Sequence, residues 1–412
     1  MAMINSSGWR DRWRVCLSRP WFAAAAVTAA YAAFLLLYLM RHDFQAAALI
    51  HAGGIWLIQD AVHTPIPVEK NALGYGGQFY HELALDPLTL SPRKYVRLDL
   101  PAYRQQRILY PLTAWALSLG GREQLVPAML AVINLVSLFF LAWLAAVFFQ
   151  RMHFPLWASL CIPLFPGFVF SLYYDLPEPM AAVLLFSCLL CVRRGRPAWA
   201  CLALSFGILA RDVLIFAALA IAACWLWDNL RTKFSADRAC SYPSRGMSGL
   251  KWYTGVIPIV VYGIWQGILY MKWGCLPSDE VAHYVFAAPF TGIVDAVRSR
   301  MDGAIEWRRE LYDAAFIVSM AATILAALPG LMRTGLLSHE KLLMVAHAVL
   351  MVFYSAVIYN HRGGIMRAAW ECQALACLSI FTWSRPAGIT ASLGWIVMGL
   401  LLTFRQALCM PA

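Results

Sequence analysis

Leu125 to Phe149 reads LVPAMLAVINLVSLFFLAWLAAVFF, a stretch of the chain that contains no charged residue. An α-helix needs roughly 20 apolar residues to cross the ~30 Å hydrocarbon core of a bilayer, so this stretch is long enough to span a membrane. Further long apolar runs recur between residues 21 and 404. The sequence therefore predicts an all-α polytopic membrane protein, with residues 1–412 forming a single membrane domain.

The overall composition supports the same class of protein. Of the 412 residues, 61% are hydrophobic and 13% are charged, whereas soluble domains have about 25% charged residues. The net charge of +11 does not indicate nucleic-acid binding, because basic residues in a polytopic protein set its orientation and contact anionic lipid. We expect membrane lipids, and no nucleic acid, among its partners.

Eleven transmembrane spans are predicted from the apolar runs. The first run follows Arg10, Arg12, Arg14 and Arg19 and is too long for the core of a cleaved signal peptide, so an uncleaved span is predicted there. With the N-terminus inside, the inner segments hold 16 of the 33 Lys and Arg residues. Seven of the outer ones lie in residues 41–107, a segment too long for the positive-inside rule. The approximate spans are 21–40, 125–149, 154–174, 179–192, 197–210, 213–229, 253–271, 313–332, 342–360, 368–383 and 387–404.

Three connections between the spans are long. Residues 41–124 are predicted to form a first extracytoplasmic loop with interfacial helices, one of them an amphipathic helix at 108–121. Residues 231–252, rich in Ser, Pro, Gly and charge, are predicted to form a cytoplasmic loop. Residues 272–311 are predicted to form a second long extracytoplasmic loop.

Four outer connections have polar side chains that could act chemically. A charged side chain close to the end of a membrane span is energetically costly unless it forms an ion pair or takes part in function. Because the charged residues of four connections lie on the same side, they predict the rim of a functional site. Structural interpretations remain open: Arg211 and Asp212 could form a local ion pair, and Asp175 and Glu178 could cap the next helix. The residues are Gln78, His81, Glu82, Asp86, Asp99, Tyr103, Arg104 and Arg107 in the first loop, and Asp175, Glu178, Arg211, Asp212, His361, Arg362 and Arg367 in three later turns.

The stretch GYGGQFYHELALDP, residues 74–87, begins with three glycines that allow a tight turn with unusual backbone angles. From Gln78 the chain can become helical, and the closing proline limits the length of that helix. Gln78, Glu82 and Asp86 would then share one helix face, with His81 beside them. The pattern predicts a polar helix face in the first outer loop.

A basic helix face follows in the same loop. Tyr103 and Arg107 are one helical turn apart and, with Arg104, lead into the predicted interfacial helix. Carboxylates are suited to general-base catalysis, and a nearby pair of arginines is suited to bidentate phosphate binding. Together, the two faces predict a reaction on a phosphorylated lipid at the membrane surface.

Four motifs carry a resemblance to a known family. GYGGQFYHELALDP, LDLPAYRQQRILYP, YYDLPEP and LARD, found between residues 74 and 212, resemble motifs of a bacterial family of predicted membrane proteins linked to cell-surface glycopolymer formation. The long first outer loop, the interfacial helix and the many spans resemble the GT-C class of integral-membrane glycosyltransferases. The similarity covers residues 20–215, and beyond them it is one of hydropathy only.

The resemblance implies a polyprenyl-phosphate sugar as the donor substrate and transfer, outside the cytoplasm, to an acceptor glycan or glycolipid. It implies an inverting mechanism with a first-loop carboxylate as general base. Family members often show YDGQF, whereas here Gly76 replaces that aspartate. Asp86 is therefore the first candidate for the base, and Glu82 and Asp175 are the others. The substrate-binding candidates are Gln78, His81, Tyr103, Arg104, Arg107, Glu178, Arg211 and Arg362.

Two other functions remain open, a carrier or flippase for lipid-linked sugars and a non-catalytic protein of glycopolymer assembly. A carrier should have ionisable groups near mid-membrane, whereas the notable polar residues of the predicted spans are Asn134, Gln266 and His347. The outer loops contain no DxD-like pair and the chain no Rossmann-type glycine motif, so a nucleotide-sugar donor is not indicated. No cofactor is predicted, and dependence on a divalent metal is left open. The expected location is the bacterial inner membrane, with the active face extracytoplasmic.

Overall fold

The computed structural model describes residues 19–58, 66–234, 250–301, 307–361 and 363–409. Its secondary structure is almost entirely helical, as the apolar runs predict. The α-helices are α1 Pro20–Met40, α2 Gly76–Leu85, α3 Pro101–Gln105, α4 Leu109–Leu117, α5 Val126–Arg151, α6 Pro166–Tyr173, α7 Glu178–Arg193, α8 Pro197–Ala210, α9 Ile215–Phe234, α10 Tyr253–Trp273, α11 Pro277–Val285, α12 Thr291–Met301, α13 Trp307–Leu331, α14 Ser338–Val352, α15 Ala356–Asn360, α16 Gly364–Ala368, α17 Trp370–Trp383 and α18 Arg385–Cys409.

Short elements complete the described chain. Two strands of two residues each, β1 (Ala52–Gly53) and β2 (Val68–Glu69), pair in parallel within the first long loop. Because β1 lies close to the start of α2, this small sheet helps to fix the loop against the helices. Single turns of 3₁₀-helix occupy Ala46–Ile50, Gly54–Trp56, Leu156–Cys161 and Asp212–Leu214.

Six helices in the described ranges are long and apolar enough to cross a membrane. The chain is therefore an all-α membrane protein, as its composition predicts. The six segments are Pro20–Met40, Val126–Arg151, Asp212–Thr232, Tyr253–Trp273, Leu311–Leu331 and Arg385–Gln406.

Two predicted spans are not continuous helices. The span at 154–174 is instead the 3₁₀ turn at 156–161 followed by α6, because Pro163 and Pro166 interrupt the helical hydrogen bonding between them. The span at 342–360 is divided into α14 and α15. Ser355, at the division, has an extended backbone, and its N–H donates to the Val285 carbonyl at 2.9 Å.

Helix α5, formed by the apolar run at 126–149, is more than half buried inside the protein. It packs against α1 on one side and α7 on the other, and α7 packs in turn against α8. A second layer is built on α17, whose neighbours are α13, α14 and α18. Residues 370–381 of α17 are all buried, so a charged residue at the start of this helix must find a partner inside the protein.

The two ends of the helix bundle differ. At one end the first long loop meets the turns before α7, α9 and α17, and we call this the site end. Here α11 packs against α3, and Glu280 Oε2 accepts the Tyr103 backbone N–H at 2.9 Å. At the opposite end, Arg193 forms an ion pair with Glu340 and donates from Nε to Oε1 at 2.6 Å.

The predicted interfacial helix at 108–121 corresponds to α4, which covers Leu109–Leu117. Its Tyr110 and Ala114 are buried, whereas Leu112 and Trp115 are exposed. The helix is amphipathic in its burial, and its position at a membrane interface stays a prediction.

Candidate functional site

The glycines of residues 74–87 allow α2 to lie close to neighbouring backbone. Gly74 has a φ of +64°, which favours glycine. A Cβ on Gly77 would collide with the Tyr174 carbonyl oxygen and lie 2.9 Å from the Ile50 carbonyl oxygen. The start of α2 is thus held against the YYDLPEP turn, which begins at Tyr173.

Gln78 and Glu82 on α2 are buried, and both hold loop backbone. Gln78 accepts the Gly53 N–H at 3.0 Å and donates to the Leu73 carbonyl at 2.8 Å. The Glu82 carboxylate accepts the N–H groups of residues 94, 95 and 96 at 2.6, 3.2 and 3.2 Å. Burial raises the pKa of Glu82, and those three hydrogen bonds oppose the shift. Both side chains order the first long loop, a role the sequence analysis did not assign to them.

The prediction that Gln78, Glu82 and Asp86 share one helix face is wrong for Asp86. Helix α2 ends at Leu85, and Asp86 follows it with a φ of −145°. Its Oδ2 accepts the Ser91 N–H at 2.7 Å, so this carboxylate closes a local turn. The Asp86 charge acts on Arg93 and Lys272 rather than on the arginines described below.

His81 is buried beside Tyr95, with the two ring centres 6.4 Å apart. Burial lowers the pKa of His81 to about 4, and the charge of Glu123 opposes the shift. The imidazole is therefore neutral near pH 7, and its Nδ1 is buried without a hydrogen bond. His81 lies in the packing of the first long loop, away from the arginines.

Four arginines at the site end form ion pairs that link the separate connections. Arg107 Nε donates to Asp212 Oδ1 at 2.7 Å, which joins the first long loop to the turn before α9. Arg107 Nη2 also donates to the Tyr103 hydroxyl at 3.0 Å. Because Arg211 is paired elsewhere, the alternative of a local Arg211–Asp212 ion pair is wrong.

The second and third pairs connect to the segment before α17. Arg211 forms an ion pair with Glu371 and donates from Nη2 to the Arg367 carbonyl at 3.1 Å. Arg367 Nη1 donates to Glu178 Oε1 at 2.9 Å, and Ser171 Oγ donates to Glu178 Oε2 at 3.1 Å. These bonds join the turns before α7, α9 and α17 into one polar centre.

The fourth pair lies on α3. Arg104 binds Asp99 through two hydrogen bonds, from Nε at 2.8 Å and from Nη2 at 2.7 Å. Its guanidinium carbon lies 4.4 Å from the centre of the Phe79 ring. A Cβ on Gly76 would lie 3.8 Å from Arg104 Nη1, so a side chain at this position would border the guanidinium.

The arginines act on a common carboxylate. The charges of Arg367, Arg211 and Arg107 all act on Glu178. We call Arg107, Arg211, Arg367 and Glu178 the arginine cluster. Tyrosine rings border it: the guanidinium carbon of Arg367 lies 5.2 Å from the centre of the Tyr75 ring. Such cation–π contacts hold a guanidinium plane in a fixed orientation.

Some of the unsatisfied buried atoms of the described residues lie in and around this cluster. Nε of Arg211 and Nε of Arg367 are buried donors without an acceptor, and Glu371 Oε2 is a buried acceptor without a donor. Native proteins contain few such groups, and each one calls for a ligand, a water or an ion. The cluster therefore has spare donors for an anion.

Asp175 is fully buried in the YYDLPEP turn, with a φ of +48°. Neither carboxylate oxygen has a hydrogen bond, so the structural interpretation of Asp175 as a helix cap is wrong. Burial raises the pKa of Asp175 well above its ordinary value. Its charge would act on Tyr38 and Tyr110, which lie on the side of the turn toward α1 and α4.

Sequence reasoning missed Glu371, the partner of Arg211. The available signal was a carboxylate at the start of an apolar run, four residues after Arg367. It also missed that Glu280 of the second long loop holds α3. Arg362, a predicted substrate-binding residue, lies outside the described residues.

Within the described ranges, no group of three or more His, Cys, Asp or Glu side chains is arranged to hold a metal ion. No protein-family model matches the chain, and no curated protein and no solved structure shows significant similarity to it.

Proposed function

We propose that this protein is a membrane glycosyltransferase that moves a sugar from a polyprenyl-phosphate donor to an acceptor glycan or glycolipid in cell-surface glycan assembly. One observation carries the proposal. The charges of Arg107, Arg211 and Arg367 all act on Glu178, and two of these arginines have buried N–H groups without an acceptor. An anion with several oxygens would satisfy those groups, and arginine binds phosphate with two parallel hydrogen bonds.

The location of the cluster favours a lipid-linked donor. It lies where apolar helices end, so a ligand could place its polyprenyl chain in the bilayer and its phosphate at the guanidinium groups. The side chains of Arg107 and Arg211 are only 12% and 6% exposed. At low local dielectric, the attraction between guanidinium and phosphate is stronger than in water.

A topology of eleven crossings belongs to the same proposal. Besides the six long helices, it uses the segment 154–174 and the shorter α7, α8, α14 and α17. A helix of 14 residues is about 21 Å long, and such a helix can cross where neighbouring protein covers its ends. In this topology the Arg193–Glu340 end is cytoplasmic, and the site end faces outward from the bacterial inner membrane.

The chemistry proposed is a single inverting displacement. The acceptor oxygen attacks the anomeric carbon as the bond from that carbon to the phosphate oxygen breaks, and the electron pair leaves with the phosphate. The arginine cluster stabilises the charge that develops there. A carboxylate takes the proton of the acceptor hydroxyl.

A second candidate function is a non-catalytic protein of glycopolymer assembly. Two observations favour it: each arginine of the cluster already has a carboxylate partner, and Gly76 replaces the family's aspartate. Such a protein would bind the lipid-linked sugar without cleaving it. No comparable observation favours a carrier, since Asn134, Gln266 and His347 each bond to a neighbouring protein group.

Binding of the donor's lipid tests the proposed site. We expect polyprenyl phosphate to raise the thermal unfolding temperature of the purified protein in detergent, and the uncharged polyprenol to leave it unchanged. Arg107→Lys should reduce the shift, because lysine lacks the planar fork that binds phosphate through two bonds. Equal shifts with both lipids, or an unchanged shift in Arg107→Lys, would contradict phosphate binding at the cluster.

A further inference from the structure

We propose that Asp212 is the general base, an inference that rests on the proposed glycosyl transfer. Asp212 directly follows Arg211 and begins the 3₁₀ turn that leads into α9. Its Oδ1 accepts the Nε–H of Arg107 at 2.7 Å. The side chain is 20% exposed, and among the described residues the Arg107 guanidinium bonds to its Oδ1 alone. One oxygen is therefore free to accept a proton.

The other carboxylates in and beside the arginine cluster either accept hydrogen bonds on both oxygens or are fully buried. Both oxygens of Glu178 accept hydrogen bonds, and its side chain is 2% exposed. Glu371 is fully buried against Arg211. Asp99 accepts hydrogen bonds on both oxygens, from the Leu100 N–H and from Arg104. A base must reach the acceptor hydroxyl, and none of these three has an oxygen that is both exposed and free of a hydrogen bond.

The three residues that the sequence suggested as the general base are not available for that role. Asp86 closes the turn to Ser91, and Glu82 binds three backbone N–H groups. Asp175 is fully buried, and no charge of the arginine cluster acts on it. Asp212 is thus the carboxylate at the cluster that combines exposure with a free oxygen.

The surroundings of Asp212 suit an acceptor hydroxyl. Arg107, which would hold the donor phosphate, touches Asp212 directly, so the base lies about one guanidinium width from the leaving group. The Asp212 charge also acts on Tyr262 of α10 and on Tyr354, between α14 and α15. Their hydroxyl groups could orient a sugar or glycolipid acceptor between these helices.

The step balances as a proton transfer coupled to displacement. The acceptor O–H bond breaks and its proton moves to Asp212 Oδ2, while the acceptor oxygen forms the new bond to the anomeric carbon. The bond from that carbon to phosphate breaks, and polyprenyl phosphate leaves with the electron pair. Asp212 then returns its proton to water before the next turnover.

The test first compares two substitutions of Asp212 with wild type in liposomes containing polyprenyl-phosphate sugar. Asp212→Asn keeps an oxygen for Arg107 but is a poor base, and we expect transfer to fall by about 10²–10⁴-fold. The shift in unfolding temperature caused by polyprenyl phosphate should persist. Asp212→Glu should recover part of the activity.

Azide separates a base from a positioning residue. In Asp212→Ala, azide should restore donor consumption and form a glycosyl azide of inverted configuration, because this nucleophile has no proton to lose. Arg107→Ala should gain nothing from azide, since its defect would be in phosphate binding.

Two results would overturn the assignment of Asp212. One is transfer by Asp212→Asn within about threefold of wild type, well short of the loss expected for a base. The other is a failure of azide to rescue Asp212→Ala that still binds polyprenyl phosphate. Wild-type protein that consumes no donor would instead overturn the proposed function, and the base with it.

Discussion

Arg211→Met is expected to destabilise the protein by about 3–5 kcal/mol, the usual result of removing one partner of a buried ion pair. Glu371 is fully buried and forms an ion pair with the Arg211 guanidinium. Without Arg211 the carboxylate would stay desolvated and unpaired. Thermal or chemical unfolding in detergent measures the change.

The double variant Arg211→Met/Glu371→Met separates stability from function. Replacing both charges with apolar side chains of similar size is often neutral or stabilising, so we expect most of the lost stability to return. We expect this double variant not to bind polyprenyl phosphate, because its arginine cluster lacks one of the three guanidinium groups.

The opposite end of the bundle offers a matched control. Arg193 and Glu340 form another buried pair, and Glu340 is fully buried. Arg193→Met/Glu340→Met should leave binding of polyprenyl phosphate unchanged. If this control and the Arg211 double variant bind the lipid equally well, Arg211 is a structural residue and the phosphate site is wrong.

Gly77→Ala should have the second-largest effect on stability. The added methyl group would collide with the Tyr174 carbonyl oxygen, which is backbone and cannot rotate away. Overpacking of this kind costs ~1–3 kcal/mol. The collision would also push α2 from the turn that leads to Glu178, so we expect weaker binding of polyprenyl phosphate together with a lower unfolding temperature.

Gly267→Ala in α10 is the matched control for that substitution. A Cβ at Gly267 would have no heavy atom within 4 Å, and alanine is the better helix former. We expect unchanged lipid binding and an unfolding temperature at or above that of wild type. Gly77→Ala that behaves like Gly267→Ala would show that α2 can move without disturbing the site.

Much of the fold was predictable because long apolar runs have few structural solutions in a membrane protein. Residues 125–149 were recognised from hydropathy alone, and α5 covers all of them except Leu125. Hydropathy could not predict the break at residues 162–165, because a broken span keeps its apolar composition when neighbouring helices cover it. The prolines at 163 and 166 were the local signal for it.

The site was predictable in composition but not in pairing. The polar residues of four connections do lie at one end of the described bundle, and ion pairs join them. Which arginine binds which carboxylate depends on distances between segments far apart in sequence. Arg211 therefore pairs with Glu371, 160 positions away, rather than with its neighbour Asp212. The helical period placed Asp86 on the polar face, but α2 ends one residue earlier.

An assay of sugar transfer is the most direct test of the proposed glycosyltransferase activity. Purified protein in liposomes would be given a labelled polyprenyl-phosphate sugar of known anomeric configuration and a cell-envelope glycan or glycolipid fraction as acceptor. We expect the label to move to the acceptor with inverted configuration, and the Arg193→Met/Glu340→Met control to transfer it as wild type does. Label that stays on polyprenyl phosphate, or a product of retained configuration, would contradict the proposed inverting transfer.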